Sequence, residues 1–171
     1  MTGGTVVMRT QLRPGDLGMI IHLHGVHYAR EHGLDTTFEP YVARPLSEFV
    51  LAGSGAGRIW MADAGGHMVG CIAVVRDGDS GQAQLLGQAQ LRWFLVTPDQ
   101  RGTGTGRRLL DEALEYCRAD AIAHLHLWTF DDLHAAIHLY LANGFVETER
   151  RTHVIWGRER TELRMDLMLT P

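Results

Sequence analysis

Apolar residues between positions 107 and 121 recur every three to four places. Leu110, Ala113, Leu114 and Cys117 share one stripe, with charged residues filling the opposite face. That spacing follows the 3.6-residue turn and predicts an amphipathic helix over Arg107–Ala121. The same reading predicts helices over Leu17–Glu31 and Phe38–Leu51, joined by the glycine-bearing HGLDTT, and a last helix in DDLHAAIHLYLANGF, closed by Asn143-Gly144. Strand patterns lie between them. Val6–Leu12 is short and rich in β-branched residues, and RPGD after it is turn chemistry. Arg58–Ala62 and His67–Val75 are apolar runs separated by DAGG, a hairpin signal. Ala83–Val96 reads as one long strand ending at Pro98. Ala123–Thr129 alternates, with His124, His126 and Trp128 on one side, and Phe145–Trp156 and Thr161–Leu169 form a final pair around GRER. The predicted order is β-αα-βββ-α-β-α-ββ, a mixed α/β sheet. Residues 1–171 read as a single domain with no repeat or linker.

Composition narrows the function classes. A chain of 171 residues, 45% hydrophobic, is the size of one domain with a substantial core. A formal charge of −4 argues against a general nucleic-acid or anionic-membrane surface. No apolar run approaches the roughly 18 residues that cross a bilayer, and MTGGTVVMRT lacks the layout of a secretory signal, so the expected location is cytoplasmic. Cys71 and Cys117 sit in apolar-patterned segments and read as reduced core thiols.

Between the long strand and the amphipathic helix lies PDQRGTGTGRRLL, residues 98–110. Glycine at every second position lets the backbone approach a ligand and turn its N–H groups inward. A helix begins immediately afterwards, and a helix N-terminus favours anions. The segment therefore reads as a phosphate site. It is not a Walker loop, which ends in Gly-Lys-Ser/Thr, nor a dinucleotide fingerprint, which wants glycine or alanine where Arg107 stands.

Arg101-Gly102-Thr103-Gly104-Thr105-Gly106 resembles the R/Q-x-x-G-x-G/A loop of the GNAT superfamily of acyl-CoA-dependent N-acyltransferases. The preceding Leu95-Val96-Thr97-Pro98 resembles the family's x-V-x-P strand end. Ala136, Leu139, Tyr140, Gly144 and Phe145 match its later A-x-x-L-Y-x-x-x-G-F helix. The element order is similar along essentially the whole chain, which implies a mostly antiparallel central sheet flanked by helices, with the two early helices as a lid on the acceptor side. More narrowly, GDLGMIIHLHGVHYAREHG and LWTFDDLHAAIHLY resemble the acetyltransferase half of bacterial fusions of a MarR-type regulator with a GNAT domain, although 171 residues leave no room for the regulator. The resemblance implies acetyl-CoA as cosubstrate, its pyrophosphate held by backbone amides from Gly102 to Arg107 and by Arg101 and Arg107. Phe94, Leu95 and Val96 would offer main-chain contacts to the acyl-pantetheine arm. One position departs from the pattern: many members carry asparagine where Leu133 stands, so Asp132 or His134 substitutes, or the contact is absent.

Acyl transfer from a thioester to an amine needs a neutral nucleophile, donors for the oxyanion, and a proton for the departing thiolate. The resemblance makes Tyr140 the candidate proton donor. Candidate bases are His22, His24, His27, Glu31 and Glu39 in the early segments and His153 on a late strand, with His24 and Glu39 put first and a water chain as the alternative. No HExxH pattern is present and no metal site is expected. The expected function is acetyl transfer from acetyl-CoA to a primary amine of a small molecule, amino acid, peptide or protein. A catalytically weak acyl-CoA-binding or sensing module is the alternative. Neither nucleic acid nor membrane is expected as partner, and exposed sheet edges leave a homodimer open.

Overall fold

A computed structural model describes residues 5–78 and 87–169. Its elements are β1 (Val7–Arg9), α1 (Asp16–His32), α2 (Phe38–Ala52), β2 (Gly57–Ala64), β3 (His67–Arg76), β4 (Gln88–Val96), α3 (Thr105–Ala119), β5 (His124–Phe130), α4 (His134–Ala142), β6 (Val146–Ile155) and β7 (Arg158–Met168). The order is the one the hydrophobic pattern predicts. Seven strands form one sheet in the order β1-β2-β3-β4-β5-β7-β6, antiparallel except where β4 meets β5.

Alternation along the strands divides the core between the two faces. On one face the apolar stripe of α3, including Leu110 and Leu114, packs on Ile72, Leu125 and Met165. On the other, Ile20 of α1 and Val42 and Leu46 of α2 cover Met61, Cys71 and Leu95. Cys71 and Cys117 are both buried free thiols, and burial pushes each up to about 12. The first strand is tied down by charge. Arg9 donates to Asp63 at 2.6 Å and to both carboxylate oxygens of Asp16 at 2.7 and 2.8 Å, joining β1, β2 and the first turn of α1. The hydrogen bond from Arg9 holds the Asp16 carboxyl below its ordinary range.

Most boundaries shift by a residue or more from the sequence reading, and three of the shifts have a local cause. The strand before the glycine loop begins at Gln88, with Gly87 in a turn; the expected start at Ala83 lies outside the described residues. Helix α3 begins at Thr105, two residues before the expected Arg107, because its apolar stripe starts only at Leu109 while Gly104 already caps the helix. The final hairpin turns at Trp156-Gly157, not across GRER. Both residues have positive φ, 49° and 84°, as a two-residue hairpin turn requires, so Arg158, Glu159 and Arg160 become part of β7.

The cleft arises in the middle of the sheet. Parallel pairing of β4 and β5 lasts only from Gln88↔His124 to Gln90↔His126, after which the strands separate. Opposite that opening, the register of β4 on β3 shifts between Cys71 and Ala73, and Trp93 takes φ 50°. This is a β-bulge, which leaves an unpaired residue and bends the strand. Its parity effect is direct: Leu91 faces α3, whereas Trp93 and Leu95 face α1 and α2.

Candidate active site

The separated strands open a cleft of about 840 Å³. One end is built by the glycine loop. Gly102 and Gly104 have φ of 75° and 90°, a region costly to side-chain-bearing residues, and they turn the chain into α3, whose N-terminus at Gly104, Gly106 and Arg107 lines the cleft with no side-chain cap on its first N–H groups. Gly106 lies in the first helical turn with ordinary φ. A Cβ there would meet Phe94 and Val96 at 3.5 Å, an ordinary contact, so the fold itself does not require glycine at this position. Of the expected cofactor contacts, all line the cleft except Thr103 and Thr105. The Thr103 hydroxyl donates to the Gln100 carbonyl at 2.8 Å and lies 2.9 Å from that of Thr105, so these two brace the loop from behind.

The two loop arginines differ. Arg107 is exposed at the cleft and makes no ion pair among the described residues. Arg101 is held: its Nε donates to the Val96 carbonyl at 3.1 Å, and its two Nη groups bind Glu31 of α1 at 2.7 and 3.0 Å. That bidentate bond keeps the Glu31 carboxyl below its ordinary range. Glu31 is therefore a structural strut between α1 and the loop.

Tyr140 is buried on α4 against Phe94 and Phe145, at ring-centroid distances of 6.0 and 5.6 Å, and it lines the cleft. Its hydroxyl has no hydrogen-bond partner among the described side chains, and burial pushes the phenol far above its ordinary range. Burial thus favours the neutral, proton-bearing phenol. His24 also lines the cleft, 3% exposed, with Nδ1–H donating to the Ile20 carbonyl at 2.8 Å. That bond assigns the lone pair to Nε2. Burial lowers the imidazole to about 4, so it is neutral near pH 7.

The other candidate bases separate clearly. Glu39 does not line the cleft; it is exposed in the first turn of α2, packed so closely on α1 that a Cβ at Gly25 would come within 2.5 Å of its carboxylate. The acidic residue thus serves the packing of α1 on α2. His22 is exposed away from the cleft, and His153 is hydrogen-bonded to Glu162 at 2.6 Å. His27 does reach the cleft, 3.5 Å from Glu31, and burial lowers its imidazole as well.

A further cluster was not read from the sequence. His32, at the end of α1, lines the cleft with Nδ1 3.4 Å from Asp132, and Asp132 accepts two hydrogen bonds from buried Arg160 at 2.7 and 3.0 Å. The one trace of it in the sequence is the i, i+4 series His24, Tyr28 and His32, in which the first two rings stack at 5.9 Å and the last two meet tilted at 5.4 Å. Helix α1 thereby grips both walls of the cleft, one through Glu31–Arg101 and the other through His32–Asp132. The Leu133 departure also takes a definite form. Leu133 is the N-cap residue of α4, Asp132 is engaged by Arg160, and His134 remains exposed at the cleft.

The model of the acetyltransferase (GNAT) family matches residues 23–145. An uncharacterized N-acetyltransferase of Schizosaccharomyces pombe is 30% identical over 130 residues, 74% of each chain. N-acetyltransferase 8F1 of Rattus norvegicus is 33% identical over 104 residues, 60% of this chain and 45% of that one, so the chain spans about half the length of this relative. In structure, N-acetyltransferase from Staphylococcus aureus Mu50 superposes with TM-score 0.80 at 15% identity, covering 98% of this chain and 100% of that one. The yncA protein of Salmonella typhimurium, solved with acetyl-CoA, gives 0.76 at 17% identity over 98% and 96%. At these identities the structural likeness speaks for the fold, while the sequence match carries the assignment: the chain belongs to the GNAT acetyltransferase family, for which acetyl-CoA is the cosubstrate.

Proposed function

We propose that this protein transfers the acetyl group of acetyl-CoA to a primary amine. The observation that carries the reading is the meeting, in one cleft, of an anion-binding helix N-terminus, a bulged strand edge and a buried phenol with an unengaged hydroxyl. Pyrophosphate sits on the N–H groups at the start of α3, with Arg107 adding charge. The pantetheine arm follows β4 through the opening between β4 and β5, which brings the thioester carbonyl to main-chain donors of Phe94–Val96.

The amine nitrogen attacks the thioester carbon from the side of α1 and α2. A C–N bond forms, the C–S bond breaks, the amine loses a proton and the thiolate gains one. Tyr140 supplies that proton, a role suited to a phenol that burial keeps protonated. The amine must arrive neutral, and the proton it sheds goes toward His24 Nε2 or His27, both neutral acceptors at the cleft. Glu39 takes no part in this scheme.

Tyr140→Phe tests the assignment. The substitution keeps the ring packing and removes no protein hydrogen bond among the described residues, so stability should change by less than about 0.5 kcal/mol. Turnover with saturating acetyl-CoA should fall about 10² to 10⁴-fold, the range for general acid assistance. Thiol release is followed across a panel of amines, with product identified by mass spectrometry. Wild-type turnover in the folded variant, with chemistry rate-limiting, rules Tyr140 out as the acid, and acetyl-CoA binding without transfer to any amine overturns the enzymatic reading.

A further inference from the structure

The acceptor end of the cleft is shaped by the bulge. Beyond it Trp93 and Leu95 face α1 and α2, and before it the alternation of β4, with Leu91 turned to α3, puts Gln90 and Arg92 on that same side. Arg92 and Trp93 are thus consecutive residues projecting together toward the lid. The guanidinium lies 5.2 Å from the Trp93 ring centroid, half-buried at the cleft, and forms no ion pair with any described carboxylate. An arginine in such a place, one residue from the bulge and two from Phe94, lacks the counter-charge that buried cations ordinarily find.

Across the opening, Glu162 of β7 lines the same end. One of its oxygens accepts from His153 at 2.6 Å. Tyr41 of α2 stands close enough to both Arg92 and Glu162 for each charge to act on its phenol. The remaining wall is aromatic: Tyr41 and Trp156 pack at 4.7 Å between centroids, and Trp128 forms the floor on β5. Arg92, Glu162 and the aromatic rings thus share one end of the cleft, with Arg151 stacked 4.6 Å from the Trp128 ring centroid.

We infer that the acceptor is a free amino acid with a large apolar side chain, its carboxylate bound by Arg92, its neutral amino group donating a hydrogen bond to Glu162 and its side chain packed on Tyr41, Trp128 and Trp156. The inference rests on the proposed acetyl transfer and narrows it. A guanidinium fits a carboxylate in a bidentate fork, and a charge-assisted bond in a partly closed cleft discriminates strongly against an acceptor lacking that charge. Arg92 is then a specificity residue, beside the Trp93 that the bulge turns to the same side.

The test compares L-phenylalanine, L-phenylalanine amide and 2-phenylethylamine, which share ring and amine and differ at the carboxylate, on the wild type, Arg92→Gln and Arg92→Lys. Wild type should favour the free acid by about 10- to 100-fold in kcat/KM, the ratio should fall toward one in Arg92→Gln, and Arg92→Lys should keep part of it. Calorimetry with N-acetyl-L-phenylalanine and N-phenethylacetamide on the CoA-loaded protein asks the same question without turnover. Equal use of the three amines, equal use of a peptide N-terminus with an amidated C-terminus, or a uniform loss on all substrates in Arg92→Gln would overturn the inference. Carboxylate-dependent binding with no transfer would uphold the subsite while removing the catalytic reading beneath it.

Discussion

His24 should make the fold sensitive to acid in a pH window that its burial defines. In the unfolded chain the imidazole has its ordinary value of 6.5, whereas in the fold it is lowered to about 4. Below the ordinary value the unfolded state takes up a proton that the folded state refuses. Stability from this residue is therefore complete above pH 6.5, declines as the pH falls, and is fully lost below about 4. At about 1.4 kcal/mol per pH unit, the linkage removes roughly 2 kcal/mol by pH 5 and roughly 3 kcal/mol below pH 4. His24→Phe keeps a ring beside Tyr28 and abolishes the titration. Urea unfolding at pH 8 and pH 5 measures both proteins, and the wild type should lose about 2 kcal/mol more than the variant between those conditions. His27 and His126, whose imidazoles burial also lowers, contribute equally to both proteins and cancel in the difference. Parallel losses in the two proteins would refute the buried, neutral assignment, and with it the free Nε2 lone pair at the cleft.

Gly106→Val should weaken acetyl-CoA binding at least about tenfold by calorimetry with little change in Tm, because its neighbours at 3.5 Å admit a Cβ and the added methyls reach into the ligand's space. Gly104→Val is not an equivalent test, since φ 90° strains any β-branched residue before a ligand is considered. Asp16→Asn should cost about 1–3 kcal/mol at pH 7 by breaking the bidentate bond from Arg9. Its carboxyl is held low in the fold, so the wild-type advantage is full above the ordinary carboxylate range and shrinks as the pH falls from there through the lowered value in the fold, a narrowing that denaturant curves at pH 7 and pH 3 would display.

What the sequence determined by itself was local. Apolar spacing is a property of neighbours along the chain, so the helix carrying Leu110 and Leu114, the succession of helices and strands and the glycine loop were all legible, as was the family, since RGTGTG and the Ala136–Phe145 stretch are contiguous motifs. Element ends were less so: Trp156-Gly157 makes the last hairpin turn although GRER is the more polar stretch, because positive φ at two successive residues, rather than polarity, defines that turn. Tertiary structure was needed to separate the candidate bases. Glu39 and Glu31 look alike on paper, yet one packs on Gly25 and the other binds Arg101. His24 and His22 lie two positions apart, but only one is on the buried face of α1. The bulge at Trp93 depends on how β4 meets β3, a pairing between segments distant in sequence, and it brings Trp93 to the same side of the sheet as Arg92. His32, Asp132 and Arg160 come from α1, the loop after β5 and β7, so helical spacing could mark His32 but not the partners that folding brings to it. Chemistry at this cleft is decided by distances across the sheet, which a linear pattern does not encode.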